Sequence, residues 1–207
     1  MAYPTVSAPY GLQPINRIDG MPYAGATQQL PIASTYNTAI FDGDIVALVN
    51  GNIVKSLVTS NVSTNSSTAT FGVFVGCQYV NGQGQTVQAQ YYPGNAAASS
   101  AIAYVVNDAS AAYKVAITYS SNTTVTTANA SIVGANMTIR QGTGSTTTGD
   151  SAVSVVAPVS GEGNSSVLPV RVVAVVPETA TSANAFTEVV VKLNNPQIIA
   201  TTGADYL

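Results

Sequence analysis

Apolar positions along the chain alternate with polar ones or run in short unbroken stretches, and they do not recur at the roughly 3.6-residue spacing of an amphipathic helix. This pattern predicts strands. The clearest unit is Asp44-Ile45-Val46-Ala47-Leu48-Val49, then Asn50-Gly51, then Asn52-Ile53-Val54-Lys55-Ser56-Leu57. Both central residues of a type I′ turn need positive φ, so Asn-Gly between two apolar runs predicts a tight hairpin. Residues 71–79, the loop Asn81-Gly82-Gln83-Gly84 and residues 86–91 predict a second hairpin with a longer, glycine-bearing connection. Residues 101–107 and 113–119 predict two more strands around Asp108-Ala109-Ser110. Six such strands suffice to close a small barrel, assigned to residues 41–120. Residues 96–103 form an alanine-rich window that fits a short helical turn.

Beyond residue 120 the chain becomes rich in Ser, Thr and Asn, beginning at Tyr119-Ser120-Ser121-Asn122-Thr123-Thr124. Strands resume over residues 130–140, 151–159, 168–176 and 186–193, separated by turn clusters such as Gln141-Gly142-Thr143-Gly144 and Ser160-Gly161-Glu162-Gly163-Asn164. Pattern alone leaves two arrangements open for residues 121–207: part of the same barrel, or a second layer. The first 40 residues show neither period and carry Pro4, Pro9, Pro14, Pro22 and Pro31 with Tyr3, Tyr10, Tyr23 and Tyr36. Prolines at that density exclude long helices and central strands, which predicts an extended arm without internal hydrogen bonds, separable from a barrel that folds without it. Such an arm is stabilised by lying on something, either its own barrel or a neighbouring subunit. The predicted fold is therefore all-β, a small β-barrel or sandwich with an extended N-terminal arm and a second β-rich half.

Composition sharpens the picture through what it lacks. The 207 residues include 6 basic and 9 acidic side chains, no His, no Trp and one Cys. Charged residues make up 7% of the chain, against a usual share of about 25%. Polarity comes instead from 20 Ser, 24 Thr and 16 Asn. A net charge of -3 argues against nucleic-acid partners, which require Lys and Arg to neutralise phosphates. A polar, nearly uncharged surface is a poor solubility strategy for a free monomer. It suits a surface covered by other subunits. The opening residues lack the basic and apolar regions of a signal peptide, and no window approaches the roughly 18 apolar residues of a spanning helix. The expectation is a soluble protein made in a cytoplasm, with no membrane partner.

Catalytic chemistry is sparsely provided. Without His there is no histidine general base to activate a Ser nucleophile, and one Cys cannot build a thiolate cage for zinc. The glycines punctuate turns and match neither a P-loop nor a dinucleotide fingerprint. Cys77, inside Phe71-Gly72-Val73-Phe74-Val75-Gly76-Cys77, reads as a small core hydrophobe. Asp42-Gly43-Asp44 is a close acidic pair whose simplest role is a tight turn opening a strand, since hard cations gather six or more oxygens. Asp150, Glu162, Glu178 and Glu188 are expected to be solvated or paired. No catalytic residue, metal site or cofactor is assigned. Asn-x-Ser/Thr triplets start at Asn61, Asn65, Asn122, Asn129, Asn136 and Asn164 and follow from composition. In the arm, Arg17 and Asp19 are two charges in an otherwise uncharged stretch, and with Tyr10 and Tyr23 they are the candidate arm-docking residues. Tyr79, Tyr91, Tyr92 and Tyr104 either pack at strand edges or stack on sugars.

Several segments carry a resemblance: Tyr10-Gly11-Leu12-Gln13-Pro14, Asp19-Gly20-Met21-Pro22-Tyr23-Ala24-Gly25-Ala26-Thr27, Ile40-Phe41-Asp42-Gly43-Asp44, Gly72-Val73-Phe74-Val75-Gly76-Cys77-Gln78-Tyr79 and Tyr92-Pro93-Gly94. Over roughly residues 10–120 the chain resembles tailed-bacteriophage virion structural proteins found in phages of aquatic bacteria. The arm-plus-barrel organisation is also similar to capsid decoration (cement) proteins, which brace the outer head shell and are often trimers. The resemblance implies a non-enzymatic virion protein on the capsid exterior, with the major capsid protein and further copies of itself, as a homotrimer, for partners. It supplies no active-site residues. Another virion component, such as a head fibre or tail part, and a carbohydrate-binding host-attachment module are the alternatives.

Overall fold

The computed structural model describes residues 6–56, 70–94, 99–119, 125, 130–157, 168–180 and 186–194. These residues form an all-β fold of two sheets. Its strands are β1 (Gln13–Arg17), β2 (Gln28–Pro31), β3 (Ile45–Val49), β4 (Asn52–Lys55), β5 (Gly72–Val80), β6 (Thr86–Ala89), β7 (Ser99–Val106), β8 (Ala111–Thr118), β9 (Asn136–Met137), β10 (Ile139–Arg140), β11 (Ser154–Val156), β12 (Val170–Val175) and β13 (Glu188–Leu193).

The six-stranded sheet runs β2-β7-β5-β3-β4, with β6 also on β5. Its two hairpins follow the sequence pattern. Asn50 and Gly51 both have positive φ (49° and 75°), which sets the register Val49↔Asn52 to Val46↔Lys55. In the second hairpin Val80 faces Thr86, and Asn81 Oδ1 holds the loop by accepting from the Gln83 and Gln85 amides at 3.0 and 2.9 Å. The ends of the sheet, β2 and β4, curl back to within 8 Å of each other, Cα to Cα, so the sheet is a nearly closed barrel. Ile40, Val46, Ile53, Phe74, Cys77, Tyr92 and Val105 pack together in the barrel core.

The predicted six-strand barrel does not form as drawn, because the chain changes sheets at Asp108-Ala109-Ser110. Asp108 Oδ1 accepts from the Ser110 amide at 2.8 Å, tightening the turn. β8 then leaves β7 and becomes the spine of a seven-stranded sheet, β10-β11-β8-β13-β12-β9, with β1 also on β8. Residues beyond 120 thus build a second layer, completed by β1 and β8 from the first half. A division of the chain at residue 120 would cut this sheet. Adjacent residues on a strand face opposite ways, so Ile45, Val73 and Val106 join the second sheet's core while their neighbours Val46, Phe74 and Val105 line the barrel. One set of strands serves both cores.

Three further expectations change. The alanine-rich window makes no helical turn where described, since residues 99–103 lie in β7; residues 95–98 lie outside the described set. The expected strand over 130–140 is a 3-10 turn (Ala130–Ile132) followed by two short strands. The arm does make internal hydrogen bonds: β1 pairs with β8 and β2 with β7, both as edge strands, where Pro14 and Pro31 cost no ladder bond to a second neighbour. Leu12 is fully buried in the shared core and Ile32 is buried in the barrel core, so residues 6–36 are integral to the body.

Candidate functional site

The candidate arm residues are all placed, and all four engage their own chain. The Tyr10 hydroxyl donates to Glu188 Oε1 at 2.5 Å, and Lys114 Nζ reaches the same oxygen at 3.2 Å while lying 5.8 Å over the Tyr10 ring. Burial, reinforced by the Glu188 carboxylate, pushes the Tyr10 phenol well above its ordinary pKa, so it remains a hydrogen donor at any physiological pH. Arg17 lies between Asp19 (3.0 Å) and Asp108 (3.5 Å). Asp19 also accepts from the Met21 amide at 3.1 Å, closing a turn in which the Arg17 amide donates to the Met21 carbonyl at 3.0 Å. The Tyr23 ring packs against the shared core and its hydroxyl donates to the Ala26 carbonyl at 3.1 Å.

The arm has a specific seat. Gly11 and Gly43 cross with φ of 87° and 89°, and a Cβ on Gly11 would meet Gly43 Cα at 2.8 Å. Only glycines allow this approach in that conformation. The crossing lets the Leu12 amide donate to the Gly43 carbonyl at 3.0 Å and the Gly11 amide to the Val153 carbonyl at 3.1 Å.

This assigns the two acids flanking Gly43 different work. Asp44 is fully buried and satisfied by the Phe41 amide (2.9 Å), the Ser151 hydroxyl (2.6 Å) and Lys55 Nζ (2.8 Å), so it fixes the turn onto the 151 loop. Asp42 is only half-buried and shares one donor with Asp150: Gln90 Nε2 lies 3.1 Å from Asp42 and 2.9 Å from Asp150. Burial holds the Asp42 carboxyl above its ordinary pKa; the Asp150 charge adds to this and the Gln90 bond opposes it. No group of three or more metal-ligating side chains occurs among the described residues.

The remaining candidates are packing groups. Cys77 is buried and its thiol is pushed up to about 12 by that burial, a poor nucleophile. Tyr92 is buried, stacks on Tyr36 with centroids 6.5 Å apart and donates to the Tyr36 carbonyl. Tyr91 stacks on Phe41 at 5.4 Å, and Tyr104 donates to Gln78 at 3.3 Å. Tyr79 packs against the barrel core, and Tyr79, Tyr91 and Tyr104 are half-buried. Glu178 is exposed in a turn, whereas Glu162 and the triplets at Asn61, Asn65, Asn122, Asn129 and Asn164 lie outside the described residues. The triplet residue Asn136 is engaged by Asn194 at 2.9 Å.

An open cleft of about 960 Å³ lies beside the arm, bordered by Tyr10, Lys114, Asp150, Glu178 and Glu188. Glu188, expected to be solvated or paired, is paired with Tyr10 and Lys114, partners the sequence could not name because Tyr10 and Glu188 stand 178 positions apart. A lone acid in a Val-rich strand was the one available signal. What the arm leaves open is its outer side: Ile15, Ile18 and Met21 are 37%, 45% and 60% exposed. From residue 18 to 29 every residue except Tyr23 is exposed. No family profile, curated protein or solved structure matches the chain.

Proposed function

We propose that this chain is a non-enzymatic capsid decoration (cement) protein of a tailed phage, bound to the major capsid protein on the outer head shell and assembled there with further copies of itself, as a trimer. The observation that carries this reading is the outer side of the arm. Three of the eight large apolar side chains exposed among the described residues fall within Ile15, Ile18 and Met21. They sit on a strap whose charges, Arg17 and Asp19, neutralise each other. Clustered apolar exposure of this kind marks a protein-binding surface. The strap is tied to its own body by the Ile18–Ser110 backbone bond, the Arg17–Asp108 pair and Tyr23 on the shared core, so little ordering cost accompanies its docking, and repetition around a symmetric shell multiplies weak contacts into avidity.

The test is binding of the purified chain to undecorated head shells. Replacing Ile15, Ile18 and Met21 together by Ser should leave the thermal unfolding profile close to that of the parent and reduce shell binding at least tenfold. Unchanged binding would overturn the assignment of the strap. Even coverage of the shell by labelled protein fits cement, and signal at a single vertex fits a tail or fibre part.

A further inference from the structure

Among the described residues, Arg17 pairs with Asp19 and Asp108, Lys55 with Asp44, and Lys114 with Glu188. No ion pair there takes in Asp42, Asp150 or Glu178, nor Arg140, Arg171 or Lys192, and these leftover charges are sorted by place. We infer that copies of this chain meet head to tail, the cleft beside the arm of one copy receiving Arg171 and Lys192 of the next. This rests on the trimer reading and names the two surfaces that make it.

The acids gather at the cleft. Asp150 and Glu178 border it, and Asp42 stands beside Asp150 on the shared Gln90 amide. Lys114 borders it too, but is engaged by Glu188 and the Tyr10 ring. The recess is therefore net negative, and its walls concentrate the field on an arriving cation.

The bases gather at the other end of the same sheet. Arg171 faces Lys192 directly across the β12–β13 ladder, a position in which like charges repel unless an anion joins them. Val189, Val191 and Leu193 lie in the shared core, so alternation puts Glu188 and Lys192 on the outward face, four residues or roughly 13 Å apart. Arg140, the third base, is half-buried and takes no part. Apolar groups accompany both ends. Exposed Val133 and Val173 flank Arg171, and Val6, Pro9 and Val176 line the cleft. Opposite charges at two ends of one face define a heterologous contact, which gives a ring where its rotation closes. Arg171 is three strands from β1, about 14 Å, so this contact leaves the strap open to the shell.

Charge reversal tests it in the full chain, with mass read by light scattering across protein concentration. The parent should reach three copies. Arg171→Glu with Lys192→Glu, and separately Asp150→Lys with Glu178→Lys, should each weaken association about tenfold or more. The chain carrying all four substitutions should recover to within about threefold of the parent, because its ends are complementary again. Where loss of the Asp150–Gln90 bond impairs folding, Arg171→Glu, Glu178→Lys and their combination give the same comparison, since both residues are exposed. Reversals that leave a three-copy parent unchanged, or a combined chain no better than its parts, would overturn the charged contact and leave the trimer standing. A parent of one or two copies would overturn both.

Discussion

The two halves of the arm share a composition and differ in fate. Residues 6–17 are fixed by a buried leucine, a glycine crossing and a tyrosine bonded to Glu188, whereas residues 18–29 lie on the outside with few packing partners. Proline and tyrosine occur in both. What separates them is the presence of a seat: the first half meets the open edge of β8 and the Asp42-Gly43-Asp44 turn, and the second crosses between sheets held at Tyr23, reaching an edge only at Gln28, where β2 begins on β7. The difference shows that an extended, proline-rich segment is neither arm nor body by its own sequence.

The contrast breaks most sharply at Leu12. Leu12→Ala should cost about 3 kcal/mol, the usual range for emptying a fully buried site, measured by urea unfolding. Tyr10→Phe follows at about 1–2 kcal/mol, because it removes the donor from a carboxylate that is almost wholly buried. The seat itself has a pH signature. The folded-state pKa of Asp42 lies above its unfolded value, so more protons are bound in the folded chain between the two. The Asp42 contribution is therefore most favourable below the ordinary Asp range and is lost as pH rises through the folded pKa. Asp42→Asn should make the protein slightly more stable than the parent at pH 7 and flatten this part of the stability profile; a parent-like profile in the variant would place the charge effect elsewhere. At the other extreme, Met21→Ser should change stability by no more than about 0.5 kcal/mol. A loss as large as that of Leu12→Ala would erase the distinction between the halves.

Much of the barrel was legible from local pattern. Asn50-Gly51 dictates its hairpin through backbone conformation alone, and the loop at Asn81 carries its own hydrogen-bonding residue. The partition between sheets was not legible, because Asp108-Ala109-Ser110 is as good a turn inside one sheet as between two. Only the long-range partners of β8, namely β1, β11 and β13, decide which occurs. The site suffered from the same blindness. Asp44 reads as a turn residue, and so it is, but its ties to Ser151 and Lys55 come from folding in three dimensions. Tyr10, Arg17, Asp19 and Tyr23, read from the sequence as candidate arm-docking groups, engage Glu188, Asp108, the Met21 amide and the shared core of their own chain, partners that sequence could not name.

The sharing of one edge of β8 by β1 and β11 also has a temporal side. Gln13 waits for Lys114, Gly11 for Val153, and Tyr10 for Glu188. Contacts of such sequence separation form late, after their loop-closure entropy has been met by the rest of the fold. Residues 6–17 are thus expected to seat only after β8, the segment at Val153 and β13 have been brought together.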